Sequence, residues 1–133
     1  MATILLADDN AELLKLQSVV LGRAGHEVIT VANGRQALKL AVLQPVDLVI
    51  TDIIMPDMEG LELIMTLRKN LPALKIIAVS GGGRGNANDY LSVARTLGAQ
   101  AILLKPFTAS ALLDAVNKVL SNVEGESGTV ATT

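Results

Sequence analysis

The sequence predicts an α/β fold built on a parallel sheet with helices on both faces. Five short apolar runs recur, at residues 4–7, 28–31, 48–50, 76–79 and 101–104, each rich in Ile, Val or Leu and too short for a helix. Segments with helical spacing lie between them. Three of the runs have almost no polar interruption, which is the pattern of parallel strands covered on both sides.

Each element follows from local signals. The first run opens the chain, and residues 10–23 then carry Leu13, Leu16 and Val20 before stopping at Gly25. After the second run, Gly34–Leu43 begins behind Asn33, a residue suited to an N-cap, and ends before Pro45. The third run leads to Gly60–Asn70, which carries Leu63, Ile64 and Leu67 and is closed by Pro72. Past the fourth run, residues 87–97 can be capped by Asn86 and closed by Gly98. The fifth run precedes residues 108–120, which open with the Thr108 hydroxyl and carry Leu112, Leu113, Val116 and Leu120. Strict alternation of this kind means a parallel sheet with right-handed crossovers. One domain is expected over residues 1–121. Residues 122–133 are small, polar and aperiodic, and a disordered tail is expected there.

Composition narrows the function classes. The chain has 133 residues, half of them hydrophobic, enough for one core without staples. It contains no cysteine, which rules out disulfides and thiolate metal sites. A formal charge of −2 with interspersed signs argues against direct nucleic-acid binding. No apolar run approaches the ~20 residues of a membrane span, and the N-terminus lacks the pattern of a signal peptide. A cytoplasmic location is expected.

The polar residues collect at one edge. In a parallel sheet the carboxyl ends of all strands share an edge, and ligands bind there. Asp8 and Asp9 follow the first strand, Asp52 the third, Ser80 the fourth and Lys105-Pro106 the fifth. Each residue also has a bland role. Asp8 or Asp9 can cap the first helix, Asp52 can start a turn near Pro56, Ser80 can bond backbone, and Lys105 can be a solvated lysine. Together they are harder to dismiss. Paired carboxylates 4 Å apart repel by about 4 kcal/mol at an effective dielectric near 20. Such a cluster persists only with a cation in it or with a raised pKa. Oxygen-only ligands suit a hard ion, and a sparse, open carboxylate site suits Mg²⁺.

These residues resemble the bacterial response-regulator receiver family over residues 3 to about 121. The likeness rests on Asp8-Asp9, on Asp52 followed by Met55-Pro56 and Gly60, on Ser80, and on Lys105-Pro106-Phe107. It implies a doubly wound, flavodoxin-like (βα)5 fold with five parallel strands in the order 2-1-3-4-5. It implies Asp52 as phosphoacceptor, with Mg²⁺ held by Asp9, Asp52 and the backbone carbonyl of Ile54, and with Asp8 acting largely through water. Lys105 would pair with the phosphoryl oxygens, and the Ser80 hydroxyl would move to bond them. A cis Lys105-Pro106 bond is also implied. The donor would be a sensor histidine kinase or phosphotransfer protein. No second domain is expected after Leu120, so the chain would act as a stand-alone switch in two-component signalling, through a downstream protein that the sequence does not identify. Two positions depart from the family pattern. Ile102 stands where members often carry Tyr or Phe, and residues 81–86 are unusually glycine-rich.

Other readings fit less well. A phosphatase of the haloacid dehalogenase type needs a second Asp at position 54, which is Ile54. A serine hydrolase centred on Ser80 needs a base, and the only histidine, His26, falls at the start of strand two, on the opposite edge. The glycine run lacks the Lys-Ser/Thr ending of a P-loop and the last Gly of G-x-G-x-x-G. A receiver-like interaction module that is never phosphorylated remains as an alternative.

Overall fold

A computed structural model describes residues 2–53, 60–80, 92 and 94–121. Its strands are β1 (Thr3–Ala7), β2 (Glu27–Val31), β3 (Leu48–Asp52), β4 (Lys75–Ser80) and β5 (Ala101–Leu104). Its helices include α1 (Ala11–Arg23), α2 (Gly34–Leu43), α3 (Gly60–Asn70) and α4 (Ala109–Ser121). Residues 94–97 are also helical, whereas 87–91 of the helix expected before them lie outside the described residues. All neighbouring strands pair in parallel, in the order β2-β1-β3-β4-β5. The expected doubly wound fold is therefore the observed one.

Strand alternation sorts the core into two layers. Leu5, Val49, Ile76 and Ala78 pack with Ala37 and Ala41 of α2 and with Leu63, Ile64 and Leu67 of α3. Ile4, Leu6, Ile50 and Ile77 pack on the other face with Leu14 and Leu21 of α1 and with Leu112 and Val116 of α4. β3 is buried at every position, the polar Thr51 and Asp52 included. Truncating a side chain such as Leu63 to alanine would cost about 2–5 kcal/mol.

Side-chain caps set several helix ends. Asn10 accepts from Leu13 N at 3.1 Å and Asn33 from Gln36 N at 2.9 Å. The Thr108 hydroxyl accepts from Ala111 N at 3.0 Å. The chain reverses after α1 at Gly25, whose φ of 96° favours glycine. Among the described residues, no helix is long and apolar enough to cross a membrane.

Two boundaries differ from expectation in a way that matters for function. Asp52 and Ser80 are the last residues of β3 and β4, not the first residues of the loops. The backbone ladder continues through Asp52↔Val79 and Ser80↔Leu104, since it depends on main-chain groups and not on side-chain polarity. Both side chains are thereby held on rigid strand ends.

Candidate functional site

The register brings the carboxylates together. Ala7 pairs with Thr51 across β1 and β3, so the residues that follow each, Asp8 and Asp52, emerge side by side. Asp8, Asp9 and Asp52 each offer an oxygen, and these oxygens lie within 4.8 Å of one another. Asp8 and Asp52 are nearly buried, at 3% and 8% exposure, while Asp9 is exposed. Asp8 is oriented locally, since its Oδ1 accepts from Asn10 N at 2.9 Å. The N-cap of α1 is Asn10, so neither aspartate serves that purpose.

Lys105 reaches this cluster from β5. Its Nζ donates to Asp52 Oδ2 at 2.8 Å and to Asp8 Oδ2 at 2.9 Å. Its backbone N donates to Ser80 O at 2.8 Å, which ties the lysine to the end of β4, and the Lys105-Pro106 peptide that follows is cis. Burial, the largest single influence, disfavours the ammonium. Hydrogen bonds and charge from Asp52 and Asp8 together outweigh it and raise the lysine above its ordinary range. Ser80 is buried beside this group, at 1% exposure.

Among the described residues, three carboxylates face one ammonium, which leaves this group anionic, and its acceptors are all oxygens. That donor set fits a hard divalent cation, and one ammonium does not complete the balance. Several expectations fall elsewhere. Ile54, residues 81–86 and Tyr90 lie outside the described residues. Ile102 is buried in the layer that packs on α2 and α3. His26 sits at the opposite edge, where its Nδ1 accepts from Ala2 N at 3.1 Å. A groove of about 980 Å³ also lies at that opposite edge, lined by residues that include Pro45, Asp47, Pro72 and Lys75. Its two charged groups are engaged, Asp47 with Thr3 N and Lys75 with Leu120 O.

Sequence reading alone did not anticipate two contacts. Thr51 Oγ1 donates to the main-chain oxygen of Asp52 at 2.9 Å. Gly60, at the start of α3, lies hard against the backbone of Asp52 and Ile53. The Gly60 position was visible as part of a motif, but nothing in the sequence signals which backbone it touches.

The profile of the Response regulator receiver domain family matches residues 4–117. The chain is 36% identical over 118 residues to chemotaxis protein CheY of Thermotoga maritima, covering 87% of this chain and 95% of that protein. It is 35% identical over 123 residues to the DNA-binding transcriptional regulator NtrC of Azospirillum brasilense, covering 91% of this chain. There it spans 24% of the relative, and it spans about a quarter of several other regulators that it matches. The chemotaxis response regulator CheY4 of Vibrio cholerae has a similar fold, with a TM-score of 0.82 and 31% identity over 90% of this chain and 99% of that one.

Proposed function

The chain belongs to the response regulator receiver domain family of two-component signalling, and from that premise we propose that it accepts a phosphoryl group on Asp52 and so switches the binding of a partner protein. The observation that carries this reading is Lys105 Nζ bridging Asp52 Oδ2 and Asp8 Oδ2 in an acidic cluster. A carboxylate held at a strand end beside a fixed cation suits phosphoryl transfer, which needs positioning and charge neutralisation above all.

The phosphodonor is the phosphohistidine of a sensor histidine kinase or phosphotransfer protein. An Asp52 carboxylate oxygen attacks phosphorus, the phosphorus–nitrogen bond breaks, and the leaving imidazole recovers a proton. Lys105 turns from Asp8 and Asp52 toward the incoming phosphoryl oxygens, and the Ser80 hydroxyl donates to one of them. Asp9 and Asp52 would hold Mg²⁺ together with the main-chain carbonyl expected from Ile54, and Asp8 would act through water. Bound there, the ion offsets the charge that gathers as phosphate meets carboxylate. The chain is a phosphoacceptor switch and not a turnover enzyme. The all-oxygen donors support Mg²⁺ in preference to a softer metal, and the exposure of Asp9 suits an ion that keeps several waters.

Incubation with acetyl phosphate and Mg²⁺, followed by hydroxylamine and peptide mapping, tests the proposal. A hydroxylamine-labile phosphoryl group within residues 48–53 is the expected result. A hydroxylamine-resistant group, or one mapped elsewhere, would refute it.

A further inference from the structure

The main-chain oxygen of Asp52 is gripped by two residues that the proposed reaction leaves without a role. Thr51 is fully buried, and its Oγ1 donates to Asp52 O at 2.9 Å. On a strand, successive side chains face opposite ways, so this hydroxyl lies on the side of the sheet packed by α2 and α3. That is the layer of Val49, two residues before it. Gly60 closes on the same backbone. A Cβ at Gly60 would overlap Asp52 O and stand 2.5 Å from Ile53 Cα, so α3 begins in contact with the acceptor's main chain. Gly60 N also donates to Ile53 O at 2.7 Å, and Ile53 N to Val79 O at 2.9 Å.

The peptide that leaves Asp52 is therefore bonded to its own strand and to β4, and Gly60 at the start of α3 packs against it. Valine has the shape of threonine and would fill the same apolar space without a polar group to satisfy. The hydroxyl adds one thing that valine cannot, a bond to the acceptor's carbonyl. We infer that Thr51 is a positioning residue for phosphoryl transfer: with Gly60 it holds the Asp52 main chain so that the carboxylate keeps its place beside Lys105 and Asp8. This rests on Asp52 being the phosphoacceptor. In-line attack tolerates misplacement of only a fraction of an ångström, so a freed peptide should slow transfer without altering donor binding.

The test is the rate of phosphoryl gain from acetyl phosphate at saturating Mg²⁺, read by intact mass and divided by the folded fraction from circular dichroism. Thr51→Val should lower the maximal rate about tenfold, the effect of one hydrogen bond, with the half-saturating donor concentration unchanged. Thr51→Ser should return the rate to within about twofold of wild type. If Thr51→Val does not fold, Thr51→Ala against Thr51→Ser makes the same comparison. A hydroxyl-free variant as fast per folded molecule as wild type would overturn the inference, as would a serine variant no faster than valine or alanine. No phosphoryl gain by wild type would overturn this inference and the proposed function together. Gain by wild type with an unaffected Val variant overturns only the inference.

Discussion

Lys105 Nζ lies 2.8 Å from Asp52 Oδ2, joining residues 53 positions apart. The same ammonium meets Asp8 Oδ2 at 2.9 Å, so one cation serves two nearly buried carboxylates. In this state the lysine does part of the work that the proposed metal would share. Lys105→Met keeps the apolar stem and removes the charge. Without Mg²⁺, the variant should lose about 1–3 kcal/mol of stability in urea melts, less than for a fully buried pair because Lys105 keeps 20% side-chain exposure. Added Mg²⁺ should stabilise the variant more than wild type. Equal stability of both proteins without metal would contradict this balance.

The same pair sets a pH dependence. The folded Lys105 ammonium titrates above its ordinary value of 10.5, because its bonds and charges with Asp52 and Asp8 outweigh its burial. A raised folded value means that the contribution is complete below the unfolded pKa and is lost as pH rises through the folded one. Metal-free melts between pH 7 and 9 should show the same gap between wild type and Lys105→Met at each pH, with the gap closing only in stronger alkali. A gap that closes below pH 9 would be inconsistent with the contacts.

Asp9 and Asp8 should behave differently despite being neighbours. Asp9 is exposed, and the helix cap is Asn10, so Asp9→Ala should change metal-free stability by less than about 0.5 kcal/mol or raise it. Mg²⁺ affinity by calorimetry should fall about tenfold or more with the loss of a direct ligand. Asp8→Ala should destabilise the metal-free protein, because it removes partners of Lys105 and of Asn10 N. A large loss from Asp9→Ala without metal would give that residue a structural role.

Much of this was legible in the chain, for physical reasons. The alternation of apolar runs with helical segments fixes a parallel sheet, and a parallel sheet puts Asp8, Asp52 and Lys105 on one edge whatever the loops do. Asn33 and Thr108 were readable as caps because capping is local. What was not legible depends on tertiary geometry. Apolar character stops at Ile50 and Val79, yet the strands run on to Asp52 and Ser80 because hydrogen-bonded ladders ignore side-chain polarity. The double contact of Lys105 also needs the register of three strands. The grip of Thr51 and Gly60 on the Asp52 backbone needs the angle at which α3 starts.

The route by which the switch leaves the site is a further prediction. Ile102, which carries no ring, is buried in the layer of α2 and α3, so ring rotation cannot carry the signal there. Ser80 closes β4 and is covalently joined to residues 81–86, four of which are glycine, the residue type with the fewest backbone restrictions. With beryllofluoride as phosphoryl mimic, amide exchange should change between residues 80 and 97, around Tyr90 and Arg95, and little across 28–43. Unchanged exchange over 80–97 at saturating mimic would rule out this route. Ser80→Ala should abolish most of the change while leaving phosphoryl gain in place.

Asp52 is proposed to take the phosphoryl group with help from a divalent ion. Intact mass of wild type and Asp52→Asn, each incubated with acetyl phosphate with Mg²⁺ or with EDTA, tests it most directly. Wild type should gain the mass of one phosphoryl group with Mg²⁺ and none with EDTA, and Asp52→Asn should gain none in either. An Asn variant that gains the same mass at the wild-type rate would contradict the account.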